Sequence, residues 1–200
     1  MANSTTVPAR AAAAASTAAA RPAVPAGRVG MWWFLASEVA VFGGLIATFV
    51  LNRMRHPEWS TEAAHTWFEI GVVNTAILLT SSLTVVLAHA ASTRRDRTAV
   101  LRFLGATVTL GVLFLVFKGV EYSREFSEGI DPATSLFWSF YFLMTGLHAL
   151  HVLAGLVAIG ALMVAVHRGV HLYRVETVGI YWHFVDVVWI FLFPLLYLVH

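Results

Sequence analysis

The sequence predicts an all-α membrane protein, a bundle of five transmembrane helices, and three observations carry that prediction. Of 200 residues, 58% are hydrophobic and 12% charged, and the mean hydropathy is +0.75; a soluble domain of this size could not cover so much apolar surface. Five runs reach the roughly 20 apolar residues that a spanning helix requires. The basic residues fall in short clusters between those runs, which is how membrane topology is written. The net charge of +2 is too small and too dispersed to imply a nucleic-acid partner, and the absence of cysteine excludes disulfides and thiolate metal sites.

Residues 1–28 form an Ala/Thr/Ser/Pro tail carrying Arg10, Arg21 and Arg28. It lacks the apolar core of a signal peptide, and Pro22 and Pro25 interrupt its end. The composition predicts a disordered cytoplasmic tail, with a cleaved targeting segment as the alternative. Residues 29–200 are expected to form one transmembrane domain. Its helices are predicted at about 30–51, 71–91, 101–120, 135–166 and 177–199. The fourth run exceeds what a bilayer needs, so that helix is expected to tilt or protrude.

Arginine sets the orientation. Arg94, Arg95 and Arg97 lie in one loop, Arg168 and Arg174 in another, and the tail adds three more, all on one side if the helices alternate. The other side holds Glu58, Glu62, Glu69, Glu121, Glu125, Glu128 and Asp131. The positive-inside rule then places the N-terminus in the cytoplasm and the C-terminus outside. Trp32, Trp33, Trp59, Trp67 and Tyr122 fall near run ends and suit interfacial anchoring. Gly43, Gly44, Gly105, Gly111, Gly146 and Gly155 suit close helix contact.

Three polar islands interrupt the apolar runs. Glu38 lies about 12 Å into the first helix at 1.5 Å per residue. It must be protonated, paired or wet there, which leaves two readings: a proton-active carboxyl, or a neutral side chain hydrogen-bonded to a neighbouring helix. His148 and His151 share a helix face. One helix supplies only two of the ligands a metal wants, so they read as structural histidines tying helices together, with a bis-histidine haem as the alternative. His183 and Asp186, also three apart, read as a structural pair that satisfies itself or a partner helix, with a proton relay or a carboxylate that orients the imidazole as the alternative. Glu121 stands three residues after Lys118 and reads as a surface ion pair. Arg168 and Arg174, with His167 and His171, form a basic patch that is either a topology signal or a seat for anionic lipid headgroups. No phosphate loop and no nucleophilic triad is present, so the residues by themselves carry no catalytic site.

In order, these islands resemble subunit III of the haem-copper oxidases. The resemblance rests on Ser37-Glu38-Val39 with Phe42, Asn74 to Leu79 followed by Ala88-His89, and Glu121-Tyr122. Its most specific pieces are Thr145-Gly-Leu-His-Ala-Leu-His-Val152 and Tyr181-Trp-His-Phe-Val-Asp-Val-Val-Trp189. It covers roughly Gly30 to His200. It implies a noncatalytic subunit of a proton-pumping terminal oxidase of the cytochrome c oxidase type, in a bacterial plasma membrane. It implies packing on subunits I and II, which carry the haem and copper, together with bound phospholipid and support of proton uptake and enzyme lifetime. No cofactor or metal is implied in this subunit. Glu38 matches the family's carbodiimide-reactive carboxyl, and the two histidine islands match structural motifs. One departure is evident: many members have seven helices, and the missing pair would precede Gly30, so the lipid cleft those helices wall is not carried over. Short relatives also stand beside quinol oxidases and nitric oxide reductases, so the donor and acceptor stay open. Outside the family, the alternatives are a free-standing proton-coupled transporter, against which the lack of repeats and broken helices argues, and a b-type cytochrome.

Overall fold

The computed structural model describes residues 26–169 and 174–198. Residues 1–25 of the predicted disordered tail and His171 lie outside the described residues, while residues 26–28, expected in that tail, instead begin the first helix. The elements, all helical, are α1 (Ala26–Arg53), α2 (Trp59–Ala63), α3 (Phe68–Thr93), α4 (Arg97–Ser127), α5 (Leu136–His167) and α6 (Arg174–Tyr197). All but α2 are long and apolar enough to cross a membrane. The chain is therefore a five-span helical membrane protein, with one short interposed helix that the apolar runs did not announce.

Local chemistry sets several helix ends. Asp96 caps α4 by accepting the Ala99 N–H at 3.0 Å, and Ser135 caps α5 by accepting from Trp138 at 3.3 Å. The Ser135 hydroxyl in turn donates to Glu62, which ties the connection after α1 to the start of α5. Just past the C-cap Arg168 of α5 stands Gly169, whose φ is +85°, a left-handed conformation that glycine adopts without strain. The Gly169 carbonyl accepts from Arg97 at 3.3 Å. A side chain there would meet the guanidinium at 3.0 Å. Helix α4 runs on past Val120 to Ser127, seven residues beyond its apolar run. That extension carries Glu121 and Glu125 inward on the same face as Lys118.

The contacts α3–α4, α4–α5, α5–α6 and α3–α6 close a ring of four helices, and α1 lies outside it against α6 and α5. Trp182 holds the ring together. It is fully buried, and its indole N–H donates to Ser81 of α3 at 3.0 Å. A Cβ on Gly111 of α4 would stand 2.9 Å from its ring, and a Cβ on Gly155 of α5 would also stand 2.9 Å away. These two glycines serve close packing, as expected. Gly43 and Gly44 do not: among the described residues nothing comes within 4 Å of a Cβ at either. The aromatic expectation also divides. Trp32 and Trp33 are exposed, but Trp59 is buried against Phe49 and Phe137, because α2 folds it back over the bundle end. Tyr122 is partly buried and bonded to Thr145 at 2.6 Å.

Candidate functional site

The first polar constellation joins α1 to α5. His151 Nδ1 lies 2.8 Å from the Leu147 carbonyl. A carbonyl can only accept, so Nδ1 carries a hydrogen. The other ring nitrogen, Nε2, faces Glu38 Oε2 at 3.1 Å. Between those two atoms there is room for one proton, held either on the carboxyl or on the ring. Both arrangements are electrically neutral overall, which is the condition for keeping such groups inside a bilayer at tolerable cost. Phe42 sets its ring edge against His151 at 5.3 Å. Tyr181 donates to the His151 carbonyl at 2.9 Å, so α6 also braces the turn that carries the imidazole. Both side chains keep some exposure, 16% for Glu38 and 13% for His151, so the pair is not sealed in the bundle.

The second constellation corrects an expectation. Lys118 and Glu121 are not a surface ion pair: they are 3% and 0% exposed. Lys118 Nζ donates to Glu121 Oε2 at 3.0 Å and to the hydroxyls of Tyr141 and Tyr197 at 3.1 and 2.9 Å. Both tyrosines donate to Glu121 Oε1 at 2.7 Å. The ammonium also lies 4.8 Å from the centre of the Tyr141 ring, a favourable cation–π placement. One cation, one anion and two hydroxyls satisfy one another and bind α4, α5 and α6 together. Glu125, one further turn along, is 4% exposed, and neither of its oxygens has a hydrogen-bond partner.

The third constellation is the seam between α3 and α6. Trp189 donates to Thr75 at 3.0 Å, and His183 Nδ1 sits 2.7 Å from the Ser82 hydroxyl. His183 is therefore satisfied across the helix interface. Asp186, three residues on, is left with no hydrogen-bond partner for either oxygen, so the two do not satisfy each other, and only His183 is held by a partner helix. His148 also departs from expectation. It is fully buried, yet instead of tying helices by hydrogen bonds it lies between the rings of Phe114 and Trp189, at 5.6 and 5.1 Å, with both nitrogens unpartnered. His148 and His151 thus diverge from their shared helix. Among the described residues no group of three His, Asp or Glu side chains is placed to hold a metal ion.

Arg168 and Arg174 are exposed. Arg168 and His167 border an open groove of about 500 Å³ whose other walls are Leu101, Met163 and Val164. That juxtaposes a cation with an apolar trough. Arg174 does not line it.

Sequence reasoning singled out Glu38 and His151 without joining them, because 113 residues separate the two. It missed Tyr141, Tyr197 and Ser82 altogether. Only the helical spacing of Lys118, Glu121 and Glu125, which puts all three on one face, offered a signal.

Comparison with known proteins adds to this geometry. A family described as cytochrome c oxidase subunit III matches residues 11–200. A relative in Staphylococcus epidermidis named probable quinol oxidase subunit 3 is 33% identical over 178 residues, covering 86% of this chain and 88% of the relative. One in Thermostichus vulcanus named cytochrome c oxidase subunit 3 is 34% identical over 175 residues, covering 85% and 86%.

Proposed function

The chain belongs to the cytochrome c oxidase subunit III family, and from that premise we propose that it is the accessory third subunit of a bacterial plasma-membrane terminal oxidase that takes electrons from cytochrome c. Membership makes it a part of a haem-copper oxidase complex. In the role we propose, subunits I and II of that complex hold the haem and copper and carry out oxygen reduction, and this chain packs against them. The arginine-bearing end, where Arg97 meets Gly169, faces the cytoplasm. The α2 end faces outward.

Its own contribution is proton handling and stabilisation. The observation that carries this is the Glu38–His151 contact, a one-proton pair inside the span that keeps partial access to its surroundings. Such a pair can pass its one proton between carboxyl and ring while staying neutral overall in the bilayer. The Arg168 groove suits a phospholipid, with the headgroup phosphate at the guanidinium and an acyl chain against Leu101, Met163 and Val164. Arg174 is a second headgroup candidate.

The relative named a probable quinol oxidase subunit favours a second reading, in which a quinol is the donor. The purified complex separates the two: on the first reading it oxidises reduced cytochrome c with turnover far above its quinol activity. The reverse ratio overturns the donor assignment. Absence of any haem-copper subunit from the purified material overturns the accessory role.

A further inference from the structure

The seam between α3 and α6 contains an open pocket of about 140 Å³ in which His89 of α3 and Glu176 and His183 of α6 interrupt otherwise apolar walls of valine, glycine and isoleucine. It opens near the arginine-bearing end, since Glu176 stands in the first turn of α6 and His89 lies four residues from the end of α3. The volume is large enough for several water molecules, with the three polar side chains to bind them. His89 Nδ1 is buried without a hydrogen-bond partner, the signature of a group that a water would satisfy. Deeper along the seam the polar groups continue. His183 Nδ1 is 2.7 Å from Ser82 Oγ, and Asp186 follows one helical turn beyond His183, on the same side of α6. Asp186 is 3% exposed, and neither carboxylate oxygen is hydrogen-bonded.

We propose that Glu176, His89, His183, Ser82 and Asp186 form a water-linked proton well, a half-channel through which the buried Asp186 carboxyl exchanges protons with solution at the arginine-bearing end. From Glu176 to Asp186 is ten residues of helix, about 15 Å, or half of a hydrocarbon core about 30 Å thick. Each member can pass a proton on as it receives one. An imidazole takes a proton on one nitrogen and releases one from the other. The Ser82 hydroxyl accepts and donates in the same step. Asp186 is the terminus, neutral when it holds the proton.

The surroundings keep Asp186 from settling into an ion pair. Among the described residues, the ionisable groups facing the seam are His89 from α3, and Glu176, His183 and Asp186 itself from α6. From α5, His148 lies against Trp189, the next turn inward. Helix α4 bonds to α3 through neutral Thr107, and its buried cation, Lys118, is engaged by Glu121 at the far end of the bundle. The well is internal to this chain, so the proposal stands whichever donor serves the complex, and its test does not read oxidase activity.

The test is the infrared carbonyl stretch of a protonated carboxylic acid in the detergent-solubilised complex, followed after transfer to D₂O. Asp186→Asn should delete one such band, and Asp186→Glu should shift it, which preserves the assignment if the Asn variant fails to assemble. In the unaltered chain the band should move to its deuterated position within the mixing time. Ser82→Ala and His183→Phe, which break the chain of donors above an intact Asp186, should slow that exchange at least tenfold. The proposal is overturned if no protonated-acid band responds to either Asp186 substitution. It is equally overturned if exchange is slow in the unaltered chain, or equally fast in the Ser82 and His183 variants.

Discussion

Two side-chain pairs inside this span behave oppositely, and their substitutions should differ accordingly. The Glu38–His151 pair is neutral, partly accessible and peripheral to the ring of four helices. Glu38→Gln keeps the shape and a hydrogen bond to the imidazole while removing ionisation. The complex should therefore assemble with unchanged haem spectra and continue to reduce oxygen, while proton pumping falls or inactivation during turnover quickens. Loss of oxygen reduction in a complex that retains haem and copper would show the residue acting on the chemistry itself. The Lys118–Glu121 pair is sealed and structural. Lys118→Met leaves the Glu121 carboxylate buried without its cation, a change that costs on the order of 3–5 kcal/mol for buried pairs. The thermal midpoint of the purified complex should fall by a large margin. The double variant Lys118→Met/Glu121→Gln removes both charges and should recover most of that loss. If the single and double variants melt alike, the pair is not coupled as the distances imply.

Between helices, indole packing decides which glycines matter. Gly155→Val places a side chain where the Trp182 ring already lies, with even the first carbon at 2.9 Å. Overpacking of this kind typically costs about 1–3 kcal/mol, so the variant should accumulate poorly in membranes, and pairing it with Trp182→Leu should restore part of its yield. Gly43→Ala meets no atom of the described residues and should leave the fold intact by protease resistance in membranes. The apolar runs made the five spans legible, because lipid demands continuous hydrophobicity from each. They also misplaced what the spans contain. Ending the third run at Val120 set Glu121 at a water boundary, whereas α4 continues to Ser127 and draws Glu121 into the core. The i, i+3 spacing correctly put His148 and His151 on neighbouring turns, yet it could not tell that one would find Glu38 and the other only aromatic rings. Spacing along one helix reports which residues are neighbours; which helix stands opposite is a property of the assembled bundle. Trp59 shows the same limit, since its burial depends on a short helix in a connection that carries no periodic signal.

At the scale of the whole chain, four helices enclose a core and the fifth, α1, is held mainly along one side. A bundle with so peripheral a first helix should depend on its neighbours in the complex for stability. Extracted in mild detergent from native membranes, the chain should co-purify with a haem-copper subunit. A monodisperse, haem-free monomer would contradict that expectation. The family signature was legible as ordered polar islands, and the match over residues 11–200 agrees with it. The outlying position of α1 also has a consequence in time. The helix that carries Glu38 is synthesised first, while the histidine that receives it lies 113 residues later. At ribosomal rates of about 5–20 residues per second, the partner is made on the order of ten seconds afterwards. During that interval a freshly inserted helix waits in lipid with a lone carboxyl, and its wait ends only when α5 and α6 arrive to hold it. The last helices made are thus the ones that complete the first, and a nascent chain stalled after α4 would leave α1 without the two long helices it docks against.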